Sequence, residues 1–417
     1  MKNVAIAAAM MAVCLSATVA LAQPGVPLGQ DDIVVTLSIR YQENYKQYDA
    51  SAGAWVDPPN WGTPEYTQSV EFDNTDGILH NASGNLLNAN FGSAYTGFHI
   101  WNMSTLGHDY SASVWSVVEQ GCGTPGVPGA WSVRGGGLSV NPANTKIAWC
   151  SYDAFNHTDG EGDSCVGPSL MVLDYDQGAR PGMGLSYQWN PGEAWAGGPR
   201  LAGGAQAPMT TWCTQGSTWL DDNNMLALNG AGRVVHWDLT NVAPGTDADR
   251  GNSTPMNPNV EDNWSVIATD LVVDAQFTDI EYNPEIDPDH VYIAVSTTGF
   301  TSALYRYDYN GDASNPTLSN LTLMIGNLET EYQTREIAFD SQGNLYWSVY
   351  SNGYVACLPD ATNPAGWSKG NITTLNFPPV DPYGGSVFNG LDVACSLEMG
   401  CDPIPGDVNG DGNVNVD

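Results

Sequence analysis

Basic side chains are the scarcest feature of this 417-residue chain. Only 12 Lys and Arg residues, four of them lysines, stand against 46 Asp and Glu residues, so the formal net charge at pH 7 is −34. Because phosphate backbones are bound mainly through Lys and Arg, this charge excludes nucleic acid as a partner. The acidic excess is explained either by solubility in a salty medium or by carboxylates that collect calcium, and both explanations can hold.

Long apolar runs are also missing after the first residues, so no membrane span is predicted. The chain starts with the charged Lys2, continues with an apolar run from Val4, and reaches Ala20-Leu21-Ala22, a small-residue cleavage pattern. This order predicts a signal peptide over residues 1–22 and a secreted, extracellular protein. An uncleaved membrane anchor is the alternative, but the run is short for a spanning helix.

Cysteines are few, and an odd number of them remains after cleavage. Export permits disulfides, and the nearest neighbours in sequence are Cys150 with Cys165 and Cys395 with Cys401. Spacing alone does not fix the pairing, and one thiol must be left over.

Familiar catalytic motifs are absent. The chain has no Gly-x-Ser-x-Gly, His-Glu-x-x-His, phosphate-loop or Cys-x-x-Cys sequence, and its six histidines are scattered. His99 and His236 fall in predicted strands and are interpreted as structural. The adjacent carboxylates of Asp221 and Asp222 are interpreted as turn residues. No catalytic residue or organic cofactor is therefore predicted, and whether the protein is an enzyme stays open.

What the chain does contain is a repeated phrase, clearest over residues 335–359. Ile337 and Phe339 alternate with polar neighbours, as in a half-buried strand, and a turn at 340–343 follows. Aromatic and β-branched residues then predict strands at 345–350 and 354–358, joined by a second turn. Three strands joined by tight turns form a meander, which must stack against copies of itself to bury both faces.

Five copies are visible, and each begins with a strand that ends in an apolar residue followed by Asp or Asn. The apolar anchors are Phe72, Val140, Leu220, Tyr282 and Phe339. A sixth unit combines residues 390–394 with residues 33–39 and 45–49, from opposite ends of the chain. Sharing one sheet between the termini would close a ring and remove exposed sheet edges.

This pattern resembles the β-propeller family of the broad NHL or WD-like kind. The resemblance covers residues 30–396 and implies an all-β, six-bladed propeller whose last blade is closed by N- and C-terminal strands. It rests on the repeats, since the dipeptide Trp237-Asp238 occurs only once in the proposed blades. A pair of β-sandwiches is the alternative architecture.

Two insertions, residues 121–137 and 177–216, are candidate binding loops because long loops on a rigid scaffold often carry function. Exposed Trp beside polar groups would form a carbohydrate platform; alternatively, these aromatics pack the loops onto the sheets. The residues concerned are Trp131, Arg134, Trp189, Glu193, Trp195, Arg200 and Trp212.

The C-terminal tail changes composition to a linker at 397–405 and an Asp/Asn/Gly-rich segment at 406–417. Its spacing matches an EF-hand calcium loop, with Gly412 at the sharp turn. The predicted calcium ligands are Asp407, Asn409 and Asp411 by side chain, Asn413 by its carbonyl, and Asn415 directly or through water.

The tail resembles the first calcium loop of a type I dockerin. That resemblance implies calcium as cofactor and a cohesin-like scaffold protein as partner. Asp417 falls at the eleventh loop position, so the carboxylate at position twelve, the following helix and the second dockerin repeat are not in this sequence. As it stands, the half-loop is expected to bind calcium weakly. A disordered tail is the alternative.

Two functions fit these observations. The first is a secreted propeller that binds a glycan or a protein and is tethered to an extracellular assembly through its calcium module. The second is an exported polysaccharide-degrading enzyme, a glycosidase or lyase, of propeller fold. Two or more carboxylates with a His, Tyr or Arg at one mouth of the ring would favour the enzyme. An aromatic shelf without paired acids would favour binding.

Overall fold

A computed structural model describes most of the predicted strands and the turns that join them. The described residues are 29–37, 45–56, 66–72, 77–83, 97–102, 107–113, 135–143, 145–151, 156–158, 164–166, 169–174, 185–189, 216–228, 232–240, 264–271, 275–297, 302–328, 334–349, 354–376 and 388–394.

These residues form β-strands and two single-turn 3-10 helices, Pro364–Gly366 and Lys369–Asn371. In chain order the strands are β1 (Ile33–Leu37), β2 (Tyr45–Asp49), β3 (Ala54–Val56), β4 (Tyr66–Phe72), β5 (Gly77–Ser83), β6 (Gly97–Asn102), β7 (Gly107–Ser113), β8 (Gly135–Val140), β9 (Lys146–Ser151), β10 (Asn156–Thr158), β11 (Ser164–Val166), β12 (Ser169–Asp174), β13 (Leu185–Trp189), β14 (Ser217–Trp219), β15 (Asn224–Leu228), β16 (Val234–Asp238), β17 (Trp264–Ala268), β18 (Ala275–Glu281), β19 (His290–Thr297), β20 (Ser302–Tyr309), β21 (Leu318–Leu328), β22 (Thr334–Phe339), β23 (Leu345–Val349), β24 (Tyr354–Leu358), β25 (Thr373–Asn376) and β26 (Phe388–Val393).

Within the described residues the strands pair into four-stranded antiparallel sheets, with one small extra ribbon of β10 and β11. Numbered along the chain, the sheets are I (β4 to β7), II (β8, β9, β12, β13), III (β14 to β17), IV (β18 to β21), V (β22 to β25) and VI (β26, β1, β2, β3). Each sheet is a meander in which neighbouring strands are hydrogen-bonded. The all-β prediction is therefore confirmed.

Sheet VI joins the two ends of the described chain. β1 pairs with β26, so that Ile33 faces Val393, and also with β2, so that Ile33 faces Tyr48. Beyond the strands, the amide of Asp31 donates to the Ala394 carbonyl at 2.8 Å, and the amide of Ala394 donates to the Asp32 carbonyl at 2.6 Å. The first strand of this sheet thus comes from one end of the sequence and the other three come from the opposite end.

The sequence predicted three strands for each meander, and the structure adds a fourth on the outer edge. In sheet V this strand is β25, which pairs with β24 and has only exposed or half-buried side chains. Because an outer strand packs little apolar surface, its sequence lacks the alternation that identified the other three. The interpretation of residues 177–216 as a single insertion was wrong, since β13 lies inside that range as the outer strand of sheet II.

The repeated Asp or Asn after each anchor residue is a turn residue. The side-chain oxygens of Asn141, Asp221, Asn283 and Asp340 each accept backbone N–H groups two to five positions further on. Such bonds fix the turn between the first and second strand of a sheet. We call the end of the sheets that carries these turns the turn end, and the other the opposite end.

Apolar faces of consecutive sheets pack against each other. Sheets III and IV share a core that includes Leu226 and Ile293, and sheets IV and V share one that includes Tyr292 and Trp347. A third cluster joins sheet V to sheet VI through Val355 and Leu391. The largest fully buried side chains of the described residues are five aromatics and Ile33, and burying such large apolar surfaces stabilises the packing between sheets.

Buried carboxylates link the first strands of three consecutive sheets. Oδ2 of Asp279 on β18 accepts the amide of Ile337 on β22 at 2.8 Å, and Oε2 of Glu336 on β22 accepts the amide of Leu391 on β26 at 2.9 Å. Both carboxylates lie three residues before the anchor residue of their strand. Turns of neighbouring sheets also meet: the Asn141 side chain donates to the Asp222 carbonyl at 3.0 Å, and Gly343 lies beside the Ile286 side chain, so these turns lie at the same end of the sheets.

Close backbone approach also shapes this inner region. A Cβ on Gly216 would overlap the backbone of Asp279, so the start of β14 requires glycine. Gly343, in the turn of sheet V, has φ of +80°, which also favours glycine.

Candidate functional site

The best-defined group of ionisable side chains lies at the turn end of sheet IV. The segment from Tyr282 to Asp289 joins β18 to β19, and its first turn is fixed by the side chain of Asn283. Backbone bonds from Asp287 to Asn283 and from His290 to Asp287 continue this fold. The segment therefore holds the carboxylate of Asp287 beside the imidazole of His290.

His290 lies between two carboxylates. Its Nδ1 is 2.7 Å from Oδ1 of Asp287, and its Nε2 is 3.4 Å from Oδ1 of Asp308 on the neighbouring strand β20. Because an ionised carboxylate only accepts hydrogen bonds, Nδ1 carries the proton that it donates to Asp287. The Asp287 side chain is 12% exposed, whereas His290 is 22% and Asp308 is 44% exposed. The less exposed acid thus orients the ring, and the other nitrogen faces the more exposed acid.

Tyr292 extends this network into the core. Its hydroxyl donates to Oδ2 of Asp287 at 2.5 Å, so that one carboxylate binds both the imidazole and the phenol. Burial, followed by the Asp287 hydrogen bond and charge, raises the pKa of Tyr292 well above its usual value. The phenol is therefore neutral at physiological pH and holds Asp287 in place. The ring packs edge-on against Phe339 of sheet V, with centroids 4.8 Å apart.

Arg306 connects this group to sheet V. Its guanidinium lies over the ring of Trp367, 4.6 Å from the centroid, and Nη1 donates to the Thr362 carbonyl at 3.3 Å. Trp367 is itself fixed by a bond from Nε1 to the Ala361 carbonyl. A cation over an aromatic face is attractive, so the connection between β24 and β25 is held against sheet IV.

Chemically, His290, Asp287 and Asp308 form an oriented acid–base group with partial access to solvent. An imidazole fixed by a partly buried carboxylate is suited to proton transfer if a substrate reaches its other nitrogen. The described residues contain no set of three His, Cys, Asp or Glu side chains arranged to hold a metal ion.

His236 is buried in sheet III and was correctly predicted to lie in a third strand. Its Nε2 is 3.0 Å from Oδ1 of Asn224, whose amide nitrogen donates to both oxygens of Asp221. Burial lowers the pKa of His236, although Asp238 and Asp221 oppose the effect. Asp221 also accepts two backbone amides. This carboxylate stabilises the turn, as the sequence predicted.

The segment Asp308 to Asp312 has Asp and Asn at alternate positions, as a calcium loop does, but its side chains fix a turn. Oδ1 of Asn310 accepts the amides of Asp312 and Thr317, and Oδ1 of Asp312 accepts the amides of Ser314 and Asn315. Only Asp308 at its start belongs to the ionisable group. Sequence reasoning missed Asp287 and His290, although both follow the anchor Tyr282 by a few residues.

The predicted calcium ligands Asp407, Asn409, Asp411, Asn413 and Asn415 lie outside the described residues. Trp131, Arg134, Glu193, Trp195, Arg200 and Trp212 lie outside them as well, and so does the signal peptide. Trp189 is the last residue of β13. Cys357 is a buried free thiol. No helix in the part that the structure describes is long and apolar enough to cross a membrane.

No family model matches the chain, and no curated protein matches it. Solved structures with similar folds include a 6-phosphogluconolactonase candidate from Bacteroides uniformis, with 11% identity, coverage of 87% of this chain and 83% of that one, and a TM-score of 0.47. Regucalcin, a calcium-binding protein from Agrobacterium tumefaciens, has 12% identity, coverage of 75% and 74%, and a TM-score of 0.38.

A third is the Cps50 (Swd1) β-propeller domain of Myceliophteria thermophila, with 11% identity, coverage of 76% and 88%, and a TM-score of 0.37. These likenesses are too distant to carry function to this chain. Its propeller-like character rests on its own meander sheets and on how their first strands adjoin.

Proposed function

We propose that this protein is a secreted six-bladed propeller that binds a glycan or protein ligand. In this proposal, a C-terminal calcium-binding, dockerin-like module tethers it to a cohesin-like scaffold. Two lines support the proposal: the contacts among the sheets, and the position of the aromatic-rich connections relative to them.

The ring is supported by contacts between first strands. β4 adjoins β8, β8 adjoins β14, β14 adjoins β18, β18 adjoins β22, β22 adjoins β26, and β26 adjoins β4. This cyclic order is what six blades around one axis would give, with sheet VI as the blade shared by the termini. The sandwich alternative lacks this support. In a sandwich each sheet packs face to face against one other sheet, so the first strands of six sheets would not contact one another in a cycle.

The observation that carries the binding function is the placement of the two aromatic-rich connections. One runs from the outer strand β7 to the first strand β8, and the other from β13 to β14. In an antiparallel four-stranded meander, the fourth strand ends and the next first strand begins at the end opposite to the first turn. The strand ends that both connections join therefore lie at the opposite end, and the proposal assigns ligand binding to these connections.

Affinity electrophoresis through gels that contain soluble plant or bacterial polysaccharides tests the binding function. Trp195→Ala and Trp212→Ala are expected to abolish retardation in a gel that retards the unaltered protein. Trp55→Ala, which changes a half-buried residue on the outer strand β3, is the matched control and should leave retardation unchanged. The binding proposal would be refuted if no gel retards the protein and if the immobilised protein also binds no protein ligand.

Calorimetry tests the calcium module. A chain that carries the complete calcium loop, through position twelve, should release heat on addition of calcium, and a chain that ends at Pro405 should not. Equal heat in both chains would place calcium within the sheets, and no heat in either would remove calcium from the proposal.

A second candidate function, an exported glycosidase or lyase, is favoured by one observation: two carboxylates, a His, a Tyr and an Arg meet at the turn end of sheet IV. The group lies on the second and third strands and not on the first strands that adjoin one another. Incubation with the same polysaccharides, followed by reducing-end and unsaturated-product assays, tests it. Activity lost in His290→Ala but retained in Asp222→Asn would establish the enzyme, whereas activity unchanged in His290→Ala would exclude this site.

A further inference from the structure

His290 and Asp308 lie directly opposite each other on two paired strands of sheet IV. His290 is the first residue of β19, and the register of the two strands aligns it with Asp308 near the end of β20. Nε2 of the imidazole and Oδ1 of the carboxylate are 3.4 Å apart, and the two side chains are 22% and 44% exposed. A cross-strand pair thus places a nitrogen and an oxygen side by side where solvent reaches them.

The hydrogen bond on the other side of the ring determines what Nε2 can bind. Nδ1 of His290 donates its proton to Asp287 at 2.7 Å, so Nε2 of the neutral ring has a lone pair, and the ionised carboxylate of Asp308 is also an acceptor. The distance of 3.4 Å is longer than the about 2.7–3.2 Å of an N–H···O hydrogen bond. This pair of acceptors therefore suits a shared cation better than a direct bond.

The separation of the two atoms fits a tetrahedral metal ion. Zinc binds imidazole nitrogen and carboxylate oxygen at about 2.0–2.2 Å, and two ligand atoms at about 2.1 Å from the ion are about 3.4 Å apart at a tetrahedral angle. Nε2 and Oδ1 have this separation. Calcium takes six or more oxygen ligands, so an imidazole with one carboxylate selects against it.

Each of the two groups is held by a further side chain, as metal ligands usually are. A ligating imidazole donates its other N–H to a carboxylate, here Asp287, and a ligating carboxylate is itself hydrogen-bonded. Nδ2 of Asn320 donates to Oδ2 of Asp308 at 2.8 Å and leaves Oδ1 for an ion. Asn320 lies at a bulge of β21 and has φ of +51°, a left-handed conformation that Asn adopts more readily than most residues. The bulge thus directs this amide to Asp308.

We propose that Nε2 of His290 and Oδ1 of Asp308 bind a divalent transition-metal ion of the zinc type, with Asp287 and Asn320 as positioning residues. Among the described residues two side chains, and not three, supply ligands, because Asp287 lies on the Nδ1 side of the ring. Water completes the coordination, and the affinity is expected to be lower than that of a four-ligand structural zinc site. The inference does not rest on the proposed function, since it involves neither calcium nor the aromatic-rich connections.

Zinc titration by calorimetry tests the site in the full chain after a chelator has removed bound metal. The unaltered protein should show a zinc-binding event that is lost in His290→Gln and in Asp308→Ala. Asp287→Asn should weaken this event about 10–100-fold, because the charge that orients the ring is lost. Asp222→Ala removes an exposed acid from the same end of the sheets and is the matched control, which should bind zinc as the unaltered protein does.

Nuclear magnetic resonance of protein with isotope-labelled histidine gives a second readout. Zinc should shift the Nε2 signal of one imidazole, and this shift should be absent in Asp308→Ala, a change at a partly exposed position. Zinc binding that is unchanged in His290→Gln or in Asp308→Ala would overturn the inference, and so would the absence of zinc binding by the unaltered protein. If zinc binds here while the electrophoretic and calcium tests fail, the proposed function fails and the metal site stands.

Discussion

The carboxylate bonds between first strands predict a specific loss of stability when one of them is removed. Asp279 is 6% exposed, and the Ile337 amide that it binds at 2.8 Å belongs to a residue that is 4% exposed. In Asp279→Ala this amide loses its acceptor where water does not reach it. An unsatisfied buried N–H costs about 1–3 kcal/mol, and a hydrogen bond to a charged group contributes about 1.5–3 kcal/mol.

We therefore expect Asp279→Ala to lower the free energy of unfolding by about 2 kcal/mol. Asp279→Asn keeps an oxygen acceptor of similar shape and should cost about 1 kcal/mol, because only the charge assistance is lost. Urea unfolding, followed by tryptophan fluorescence at pH 7, measures both values provided that the m-value is unchanged.

Asp222→Ala is the matched control. Asp222 is an exposed acid at the turn end, and only its backbone carbonyl accepts the bonds from Asn141 and Lys146. A surface change of this kind should stay within about 0.5 kcal/mol. If Asp279→Ala destabilises the protein no more than Asp222→Ala does, the carboxylates do not hold neighbouring sheets together and the reasoning fails.

Three further predictions concern buried groups. Burial raises the pKa of Cys357 to about 11, so at pH 8 only about one thiol in a thousand is ionised. Iodoacetamide should therefore label Cys357 slowly in the native protein and quickly in urea, and fast labelling of the native protein would contradict the structure. Burial lowers the pKa of His236 below 6.5, so on acidification the unfolded chain takes up a proton before the folded one does, and stability should fall as the pH drops below about 6.5. In urea unfolding between pH 7 and pH 5, His236→Gln should flatten this dependence of stability on pH. An unchanged dependence would assign it to other groups. Gly216→Ala would force a Cβ against the Asp279 backbone and should lower the free energy of unfolding by about 1–3 kcal/mol. In the control Gly370→Ala the added Cβ makes only an ordinary contact, and equal unfolding free energies for the two variants would refute the close approach.

The repeats were readable from the sequence because two local signals coincide in them. Period-two alternation marks a strand that buries one face, and the Asp or Asn after each anchor marks the turn. The structure shows the same four side chains, Asn141, Asp221, Asn283 and Asp340, bonded to the backbone of their own turns. Both signals act within a few residues, so they are visible without knowledge of the fold.

Outer strands were not readable for the converse reason. β25 has no buried side chain, and β13 was hidden in what was taken for an insertion. An outer strand is defined by its hydrogen bonds to a neighbour, and such bonds impose little on the sequence. The boundaries of the two connections therefore became clear only when the sheets were assembled.

The candidate site depends even more on tertiary structure. Asp287 and His290 are near in sequence, but their relation to Asp308 arises because β19 and β20 pair in a register that sets His290 opposite Asp308. The approach of Arg306 to Trp367 joins residues of two different sheets. No local pattern encodes either contact.

By itself, the sequence determined the strand class, the repeat unit, the turn residues and the excess of negative charge, because each depends on short-range pattern or on composition. The tertiary structure decided which strands share a sheet and which buried carboxylate binds the next first strand. These are long-range relations, set by packing and hydrogen bonds between segments that are far apart in the chain.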